Sequence, residues 1–204
     1  MLRMLTDPAR TRQQRAPPCY DPGIDFTGAT MPAIRTLHPA DWTVYRELRL
    51  AALGESPHAF GSTLAEETAR PDDAWAARLA APALGDYRHA WPYVAELDGT
   101  PVGLAWVKLD ATDAATASLY QVWVAPQARG QGVGAALLDA AIAWARARRA
   151  TALHLGVTAG DGAAARLYRR AGFVDVGMPT PRPGTDLSEQ AMVLALSDQV
   201  VVHD

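Results

Sequence analysis

The chain has 204 residues, of which 49% are hydrophobic and 20% are charged, and its formal net charge is −3. This length predicts one domain, or one domain with an appendage, and the ordinary composition excludes wholesale disorder. No apolar run approaches the roughly 18 residues of a membrane-spanning helix, and a pI near 5.9 argues against nucleic-acid binding by bulk charge. The single cysteine, Cys19, excludes a disulfide framework and favours a reducing, cytoplasmic compartment.

Residues 1–30 differ from the rest because they combine prolines, glycines and scattered arginines without any apolar periodicity. They carry four arginines and three aspartates, so residues 31–204 hold a net charge of −4. No continuous apolar segment marks a secretory signal there. We expect residues 1–30 to be a disordered extension, or the result of a start codon assigned too early, and residues 31–204 to form one domain.

From Met31 onward, strand and helix patterns alternate. Asp98-Gly99 between two of the strands is a strong hairpin signal, and the first helix carries Trp42, Tyr45, Leu48 and Ala52 at the spacing of one buried face. The predicted elements of the first half are a strand over 33–37, a helix over 39–53, a loop over 54–63, a helix from about 71, and strands over 89–97 and 101–109. The second half is predicted to contain a strand over 118–124, a helix over 132–150, a strand over 153–157, a helix over 161–171, a strand over 173–176, a loop over 179–184 and a strand over 192–196.

This order predicts a mixed α+β fold. We expect a mostly antiparallel central sheet of about six to seven strands, flanked by about four helices, with parallel pairing where a helix intervenes between strands.

The segment 122–138 is the most informative, since a strand runs through Pro126 into a glycine-rich turn and then directly into a helix. Glycine lets the backbone approach a ligand closely and adopt positive φ. The start of a helix presents unpaired N–H groups and the positive end of its dipole. The turn therefore predicts a site for an anion such as pyrophosphate, with Arg129 as a charge-assisted clamp.

Other nucleotide loops fit this turn less well. A Walker A loop requires Lys and Ser or Thr after its last glycine, but Ala135 follows Gly134. The dinucleotide fingerprint is matched formally by Gly130, Gly132 and Ala135, but its acid is missing because Thr158 stands at that place. A turn that only packs a helix on a sheet needs fewer glycines.

The same turn resembles motif A of the GNAT superfamily of N-acetyltransferases, in which R-x-x-G-x-G/A holds the coenzyme A pyrophosphate. Downstream, Leu155-x-Val157 and Ala164-x-x-Leu167-Tyr168-x-x-x-Gly172-Phe173 resemble motif B of that superfamily. Upstream, the loop Ala59-Phe60-Gly61-Ser62-Thr63 is similar to the substrate-side loop of one bacterial branch. Together these similarities cover about residues 33–196.

The resemblance implies a GNAT fold, whose strands splay apart at a notch for the coenzyme, and acetyl-CoA as the cosubstrate. It implies that Phe60, Gly61 and Ser62 contact the acceptor. Asp161 stands where the family often has asparagine, and it is a competent helix N-cap. The residues that the resemblance assigns to the coenzyme are Val122, Trp123, Val124, Arg129, Gly130, Gln131, Gly132, Val133, Gly134, Ala135 and Asp161.

Tyr168 matches the family tyrosine that protonates the leaving thiolate, and a phenol pKa near 10 suits this role. The general base is not marked, because the strand before motif A reads Leu119-Tyr120-Gln121-Val122, without the glutamate of many relatives. Candidates are Glu66, Glu67, Glu96, His154 or a chain of waters. Each of the four residues can equally be a structural or surface group.

These observations predict an acyltransferase that passes the acetyl group of acetyl-CoA directly to a primary amine in a ternary complex, since Cys19 lies outside the domain. The acceptor is expected to be a small molecule, and the negative domain favours a cationic one. A peptide or protein acceptor and a non-catalytic acyl-CoA-binding module are the alternatives. We expect a monomer or homodimer, without a metal, a nucleic-acid partner or a membrane partner.

Overall fold

The computed structural model describes residues 31–84 and 88–196, so the predicted extension over residues 1–30 lies outside the described residues. Within them the chain forms one seven-stranded sheet in the order β1-β2-β3-β4-β5-β7-β6. The strands are β1 (Ala33–Thr36), β2 (Ala90–Leu97), β3 (Thr100–Leu109), β4 (Thr116–Val124), β5 (Ala152–Thr158), β6 (Val174–Pro181) and β7 (Ser188–Ala195). The α-helices are α1 (Trp42–Glu55), α2 (Leu64–Thr68), α3 (Asp72–Arg78), α4 (Val133–Ala147) and α5 (Ala163–Arg170).

All neighbouring strands pair antiparallel except β4 and β5, which are parallel. The long helix α4 connects these two strands, as a parallel connection requires. The predicted fold class, α+β with a mostly antiparallel sheet, is therefore confirmed. The predicted hairpin between β2 and β3 is confirmed as well, because Asp98 and Gly99 adopt φ of 49° and 74°, the two positive values of a type I′ turn.

Several elements differ from the predictions. The segment expected to be a loop up to residue 63 is followed at once by α2, which was not predicted. Its start is a capping box, because the Thr63 hydroxyl accepts from the Glu66 amide at 3.2 Å and the Glu66 carboxylate accepts from the Thr63 amide at 2.8 Å. In addition, α1 continues to Glu55, and β6 continues to Pro181 through part of the loop expected over 179–184.

The first helix buries the expected face only in part. Tyr45, Leu48 and Ala52 are buried in the core, whereas Trp42 is half-buried. Two further residues of the helix are buried, namely Leu53 and the charged Arg49, which is 3% exposed. Arg49 interrupts an otherwise apolar face of the helix. Buried arginines are rare unless they are paired.

The parallel strands β4 and β5 pair only at one end. Their bridges join residues 116–118 to residues 152–154 and stop there. Three residues further along β4, Gln121 has φ of 53°, and the pairing with β3 shifts register at this point. Such a bulge bends the strand that carries it, so β4 and β5 part beyond the bridges and leave the predicted notch. Over the described residues, none of the helices has the length and apolar character that a membrane crossing requires.

Candidate active site

The glycine-rich turn leads into α4 with the geometry of an anion site. Gly130 and Gly132 adopt φ of 77° and 80°, where a side chain would be strained, and Gly132 directly precedes the helix. Ala136 donates the first bond of the helix to the Gly132 carbonyl at 3.0 Å. The amides of residues 133–135 therefore have no partner inside the helix and point their partial positive charge outward.

These amides open onto a cleft of about 450 Å³ between the turn and α5, here called the coenzyme cleft. Tyr168 lies on the same cleft, together with Leu167. Eight of the eleven residues assigned to the coenzyme line it: Val122, Val124, Arg129, Gly130, Gly132, Val133, Gly134 and Ala135. The turn thus fits the pyrophosphate of a coenzyme by the chemistry of its donors.

The other three lie elsewhere. Trp123 is 7% exposed, and its indole N–H donates to Glu55 at 3.1 Å. The Gln131 side-chain amide donates to the Gln127 carbonyl at 2.9 Å. The expectation that Asp161 caps α5 is wrong, because Gly162 occupies the N-cap and Asp161 pairs with Arg166 instead, at 3.3 Å. Coenzyme contacts by these three side chains stay predictions.

Arg129, the predicted clamp, is already engaged at the mouth of the turn. Its Nε donates to the Val124 carbonyl at 3.1 Å, and its Nη2 donates to Glu55 Oε2 at 2.8 Å. Hydrogen bonds from Arg129, then from Ser56 and Trp123, lower the pKa of Glu55 to about 2. The guanidinium is 49% exposed, so Glu55 orients it while leaving part of it accessible to an anion.

A second cleft, the notch, occupies about 410 Å³ where β4 and β5 part. Tyr168 closes one side of it and is 6% exposed, with its ring centroid 5.8 Å from that of Phe173. Burial raises the pKa of Tyr168 to about 12, above the ordinary value expected from the sequence. The phenol is therefore protonated at neutral pH, which is the form that a proton donor requires.

The notch also holds Glu189 of β7, a carboxylate that sequence reasoning missed. Two guanidinium nitrogens of Arg182 donate to its Oε2. A side chain on Gly156 would put its Cβ 2.4 Å from Glu189 Oε1, so this carboxylate occupies space that only a glycine leaves open. A glycine inside a strand signals such a close approach, but nothing in the sequence indicates which residue approaches it.

The structure places none of the predicted base candidates on these clefts. Glu66 caps α2, Glu96 pairs with Arg35 at 2.8 Å, and His154 is exposed on β5. Glu67 is 1% exposed. Burial on its own would raise the pKa of Glu67, but hydrogen bonds and charges from Arg70 and Arg78 outweigh burial and hold the pKa below its ordinary value.

A third cleft of about 580 Å³, here called the acceptor cavity, lies between α1, α3 and the strands β3 and β4. The predicted substrate residues Phe60, Gly61 and Ser62 line it together. The Tyr45 hydroxyl, at the cavity wall, donates to Gln121 Oε1 at 3.1 Å and so fixes the amide of the bulge residue. The structure therefore brings the substrate loop and the bulge of β4 to one cavity.

The β6–β7 hairpin forms a further wall beside the substrate loop, at a cleft that also contains Phe60 and Glu189. Arg182 connects the two, because it pairs with Glu189 and donates to the carbonyl of His58. The expectation that the chain near residues 179–184 walls the acceptor site agrees with this arrangement, although the first part of that segment is strand rather than loop.

The three clefts share lining residues and so form one groove. Val122 and Tyr168 belong to both the coenzyme cleft and the notch. Tyr120 and Gln121 belong to both the notch and the acceptor cavity. The groove therefore runs from the glycine-rich turn, past a buried phenol and a carboxylate, to the acceptor cavity. This arrangement suits the transfer of a group from a phosphorylated carrier to an acceptor.

Comparison with known proteins identifies the family. Residues 51–173 match the family model described as the acetyltransferase (GNAT) family. The chain belongs to the GNAT family. This assignment confirms the predicted class of enzyme, an acyltransferase, and acetyl-CoA as the cosubstrate of the family. Among the described residues, no group of three or more His, Cys, Asp and Glu side chains is placed to hold a metal ion.

Individual relatives support the same family. The mycothiol acetyltransferase of Thermobispora bispora is 31% identical over 145 residues, which are 69% of this chain and 45% of that protein. The ribosomal-protein-alanine N-acetyltransferase of Brucella melitensis is 26% identical with a TM-score of 0.62, over 80% of this chain and 99% of that one. The yncA protein of Salmonella typhimurium, solved with its cofactor acetyl-CoA, shares the fold at a TM-score of 0.67 and 22% identity, over 85% and 98% of the two chains. The chain spans less than half the length of the mycothiol acetyltransferases it first matches.

Proposed function

We propose that this GNAT protein transfers the acetyl group of acetyl-CoA to the primary amine of a small molecule, by direct attack in a ternary complex. The continuous groove carries this proposal, because a coenzyme held at the glycine turn and an amine held in the acceptor cavity meet at the notch. Holding two reactants side by side supplies much of the rate of such a transfer. Residues 31–204 contain no cysteine that could carry the acetyl group in between.

The residues of the groove divide the work. The free amides of residues 133–135 and the guanidinium of Arg129 hold the pyrophosphate. The edge of β4 at residues 122–124, which is unpaired with β5, offers backbone groups to the amides of the pantetheine arm. When bound, acetyl-CoA supplies an activated thioester. Tyr168 donates its proton to the sulfur that leaves.

The acceptor must lose a proton before it attacks, because an ammonium group has no lone pair. Glu189 is the carboxylate on the notch, and we assign this proton to it, directly or through one water. Both Arg182 bonds go to Oε2, which leaves Oε1 beside Gly156 on the β5 side of the notch. Gln121, in the stretch of β4 that lacks the glutamate of many relatives, has no acidic group and borders the cavity.

A peptide α-amine is the second candidate acceptor. The observation in its favour is the similarity to the ribosomal-protein-alanine N-acetyltransferase, which covers nearly all of that protein. The similarity to the mycothiol acetyltransferases supports a small acceptor instead. The volume of the acceptor cavity, about 580 Å³, is within the usual range for small-molecule sites and favours the small acceptor.

A test of the function is the release of free coenzyme A thiol from acetyl-CoA with a panel of amines, for the protein and for Tyr168→Phe. We expect Tyr168→Phe to lower kcat about 10²-fold, since it removes the proton donor, and to leave the affinity for coenzyme A unchanged. Tyr93→Phe is the matched control. Burial likewise raises the pKa of Tyr93 to about 12, but its hydroxyl donates to the Ala140 carbonyl away from the groove.

Two results would contradict the proposal. One is coenzyme A binding without turnover above background for any amine or peptide. This result would favour the alternative, a non-catalytic acyl-CoA-binding module. The other is full activity of Tyr168→Phe, which would remove the phenol from the mechanism. Activity on peptides but not on small amines would favour the second candidate.

A further inference from the structure

We propose that the acceptor cavity binds an anionic group through Arg49, so that the acceptor is an amine that also carries a carboxylate or a phosphate. The proposal rests on the acetyl transfer proposed above and names the class of its acceptor. Acceptors that are purely cationic, such as simple diamines, are disfavoured by the positive side chains of the same cavity.

Arg49 is a buried cation without its full set of partners. It is 3% exposed and lines the acceptor cavity, and its Nε and Nη1 make no hydrogen bond. Its Cζ lies 4.6 Å from the ring centroid of Phe60, so the substrate loop covers one face of the guanidinium. Burial lowers the pKa of Arg49. Burying a charge without hydrogen-bond partners is costly, and an anion that enters the cavity relieves this cost.

The surroundings of Arg49 strengthen its positive field. Arg78 and Lys108 also line the cavity, and none of the described lining residues is acidic. The charge of Glu67 acts on Arg49, but the Oε2 atom of Glu67 accepts hydrogen bonds from Arg70 and Arg78 rather than from Arg49. Trp106, a further wall residue that is 8% exposed, has an indole N–H without a partner. The cavity thus offers donors and positive charge, although the domain as a whole is negative.

The position of Arg49 sets the shape of the acceptor. Gln121 borders both the notch and the acceptor cavity, so the amine reacts on the notch side of Gln121 and the anion lies on the Arg49 side. A guanidinium binds carboxylates and phosphates through paired N–H donors. The shared chemistry of the ligand is therefore an oxyanion at a short distance from a primary amine.

The test compares amines that differ only in the anion. The probes are β-alanine and O-phosphoethanolamine, and their partners without the anionic group are β-alaninamide and ethanolamine. We expect kcat/KM with acetyl-CoA to be at least about tenfold higher for the anionic member of a pair, the size expected for hydrogen bonds to a charged group. The pair with the larger ratio shows whether the oxyanion is a carboxylate or a phosphate.

Arg49→Met removes the charge at nearly constant length. We expect it to lower the ratio of kcat/KM values within each pair to about one and to leave the affinity for coenzyme A unchanged. The melting temperature should not fall, because the substitution removes an unpaired buried charge. Arg46→Met, on the same helix but outside the cavity, is the matched control. Arg49→Lys, which keeps the charge but not the paired donors, should retain part of the preference.

A binding measurement separates this inference from acetyl transfer. With the turn saturated by coenzyme A, propionate and inorganic phosphate should raise the melting temperature of the protein, and they should fail to do so for Arg49→Met. If no amine is acetylated but propionate or phosphate raises the melting temperature, the anion site is supported and the proposed acetyl transfer is contradicted. If amines without the anionic group react as well as those that carry it, and Arg49→Met changes neither the ratio of kcat/KM values nor the shift in melting temperature, the anion site is overturned while the transfer stands. Should Arg49→Met not fold, Lys108→Gln at the exposed side of the cavity must weaken both effects.

Discussion

Two side chains at the notch have environments that suit opposite roles in proton transfer. Tyr168 is almost fully buried, which keeps its phenol protonated. Glu189 is 45% exposed and ion-paired with Arg182. Pairs of titratable groups in such different surroundings are typical of acid and base partners. The leaving sulfur needs a proton donor, and the attacking amine needs a proton acceptor.

Glu189→Gln tests the base. The change keeps the size of the side chain and removes its ability to take a proton, so we expect kcat/KM for the amine to fall about 10²-fold. The affinity for coenzyme A should stay the same, because Glu189 lies outside the coenzyme cleft. Thiol-release kinetics and a coenzyme A titration measure the two effects.

The control for this variant is Glu96→Gln. Glu96 also pairs with an arginine, Arg35, but at the β1–β2 edge of the sheet, away from the groove. Its change should leave the kinetics as they are. Equal losses in the two variants would point to a general effect of breaking an ion pair and would contradict a proton acceptor at Glu189.

The residues that the sequence could not reveal share one property. Arg49 sits where the periodicity of α1 expects an apolar residue, and nothing local marks it as a cavity residue. Glu189 enters the notch only because β7 pairs with β5 and places Glu189 next to Gly156. Both roles depend on contacts between segments far apart in the chain. Tyr168, in contrast, stands at a fixed spacing within a motif and was predicted.

At the scale of elements, the strand–turn–helix unit around Gly132 forms the proposed pyrophosphate site. The backbone conformation there requires glycine, and the first turn of α4 supplies the donors. The motif encodes both features locally, so the unit was predicted with its boundaries nearly correct. The helix α2 was not predicted because it has only five residues, and its capping box, Thr63-x-x-Glu66, is the one sequence signal that indicates it.

Gly132→Glu tests this unit. A carboxylate at the start of α4 repels and blocks a pyrophosphate, so we expect the Kd for coenzyme A to rise at least about tenfold, the loss of roughly one charge-assisted contact. Calorimetric titration measures this change. Gly99→Glu, at φ of 74° in the β2–β3 hairpin, is the matched control because it adds the same charge and similar backbone strain.

Both variants should unfold at lower denaturant concentration than the parent protein, since each forces a side chain into the left-handed region. Only Gly132→Glu should lose affinity for coenzyme A. If its affinity were retained, the pyrophosphate would have to bind away from the turn.

At the scale of the molecule, the order of the strands creates the groove. The connection through α4 makes β4 and β5 parallel neighbours, and the bulge at Gln121 parts them where the coenzyme cleft meets the acceptor cavity. The alternation of elements was sufficient to predict the sheet. The net charge of the domain is negative and does not reveal that three positive side chains, Arg49, Arg78 and Lys108, line the acceptor cavity.

The most direct test of the groove is a set of initial rates in which acetyl-CoA and the amine are varied together, with the N-acetylated product identified by mass spectrometry. A groove that holds both substrates at once predicts rates that fit a sequential mechanism, with double-reciprocal lines that intersect. Parallel lines, the pattern of an acetylated protein intermediate, or the absence of an N-acetylated product with every amine and peptide, would contradict direct transfer.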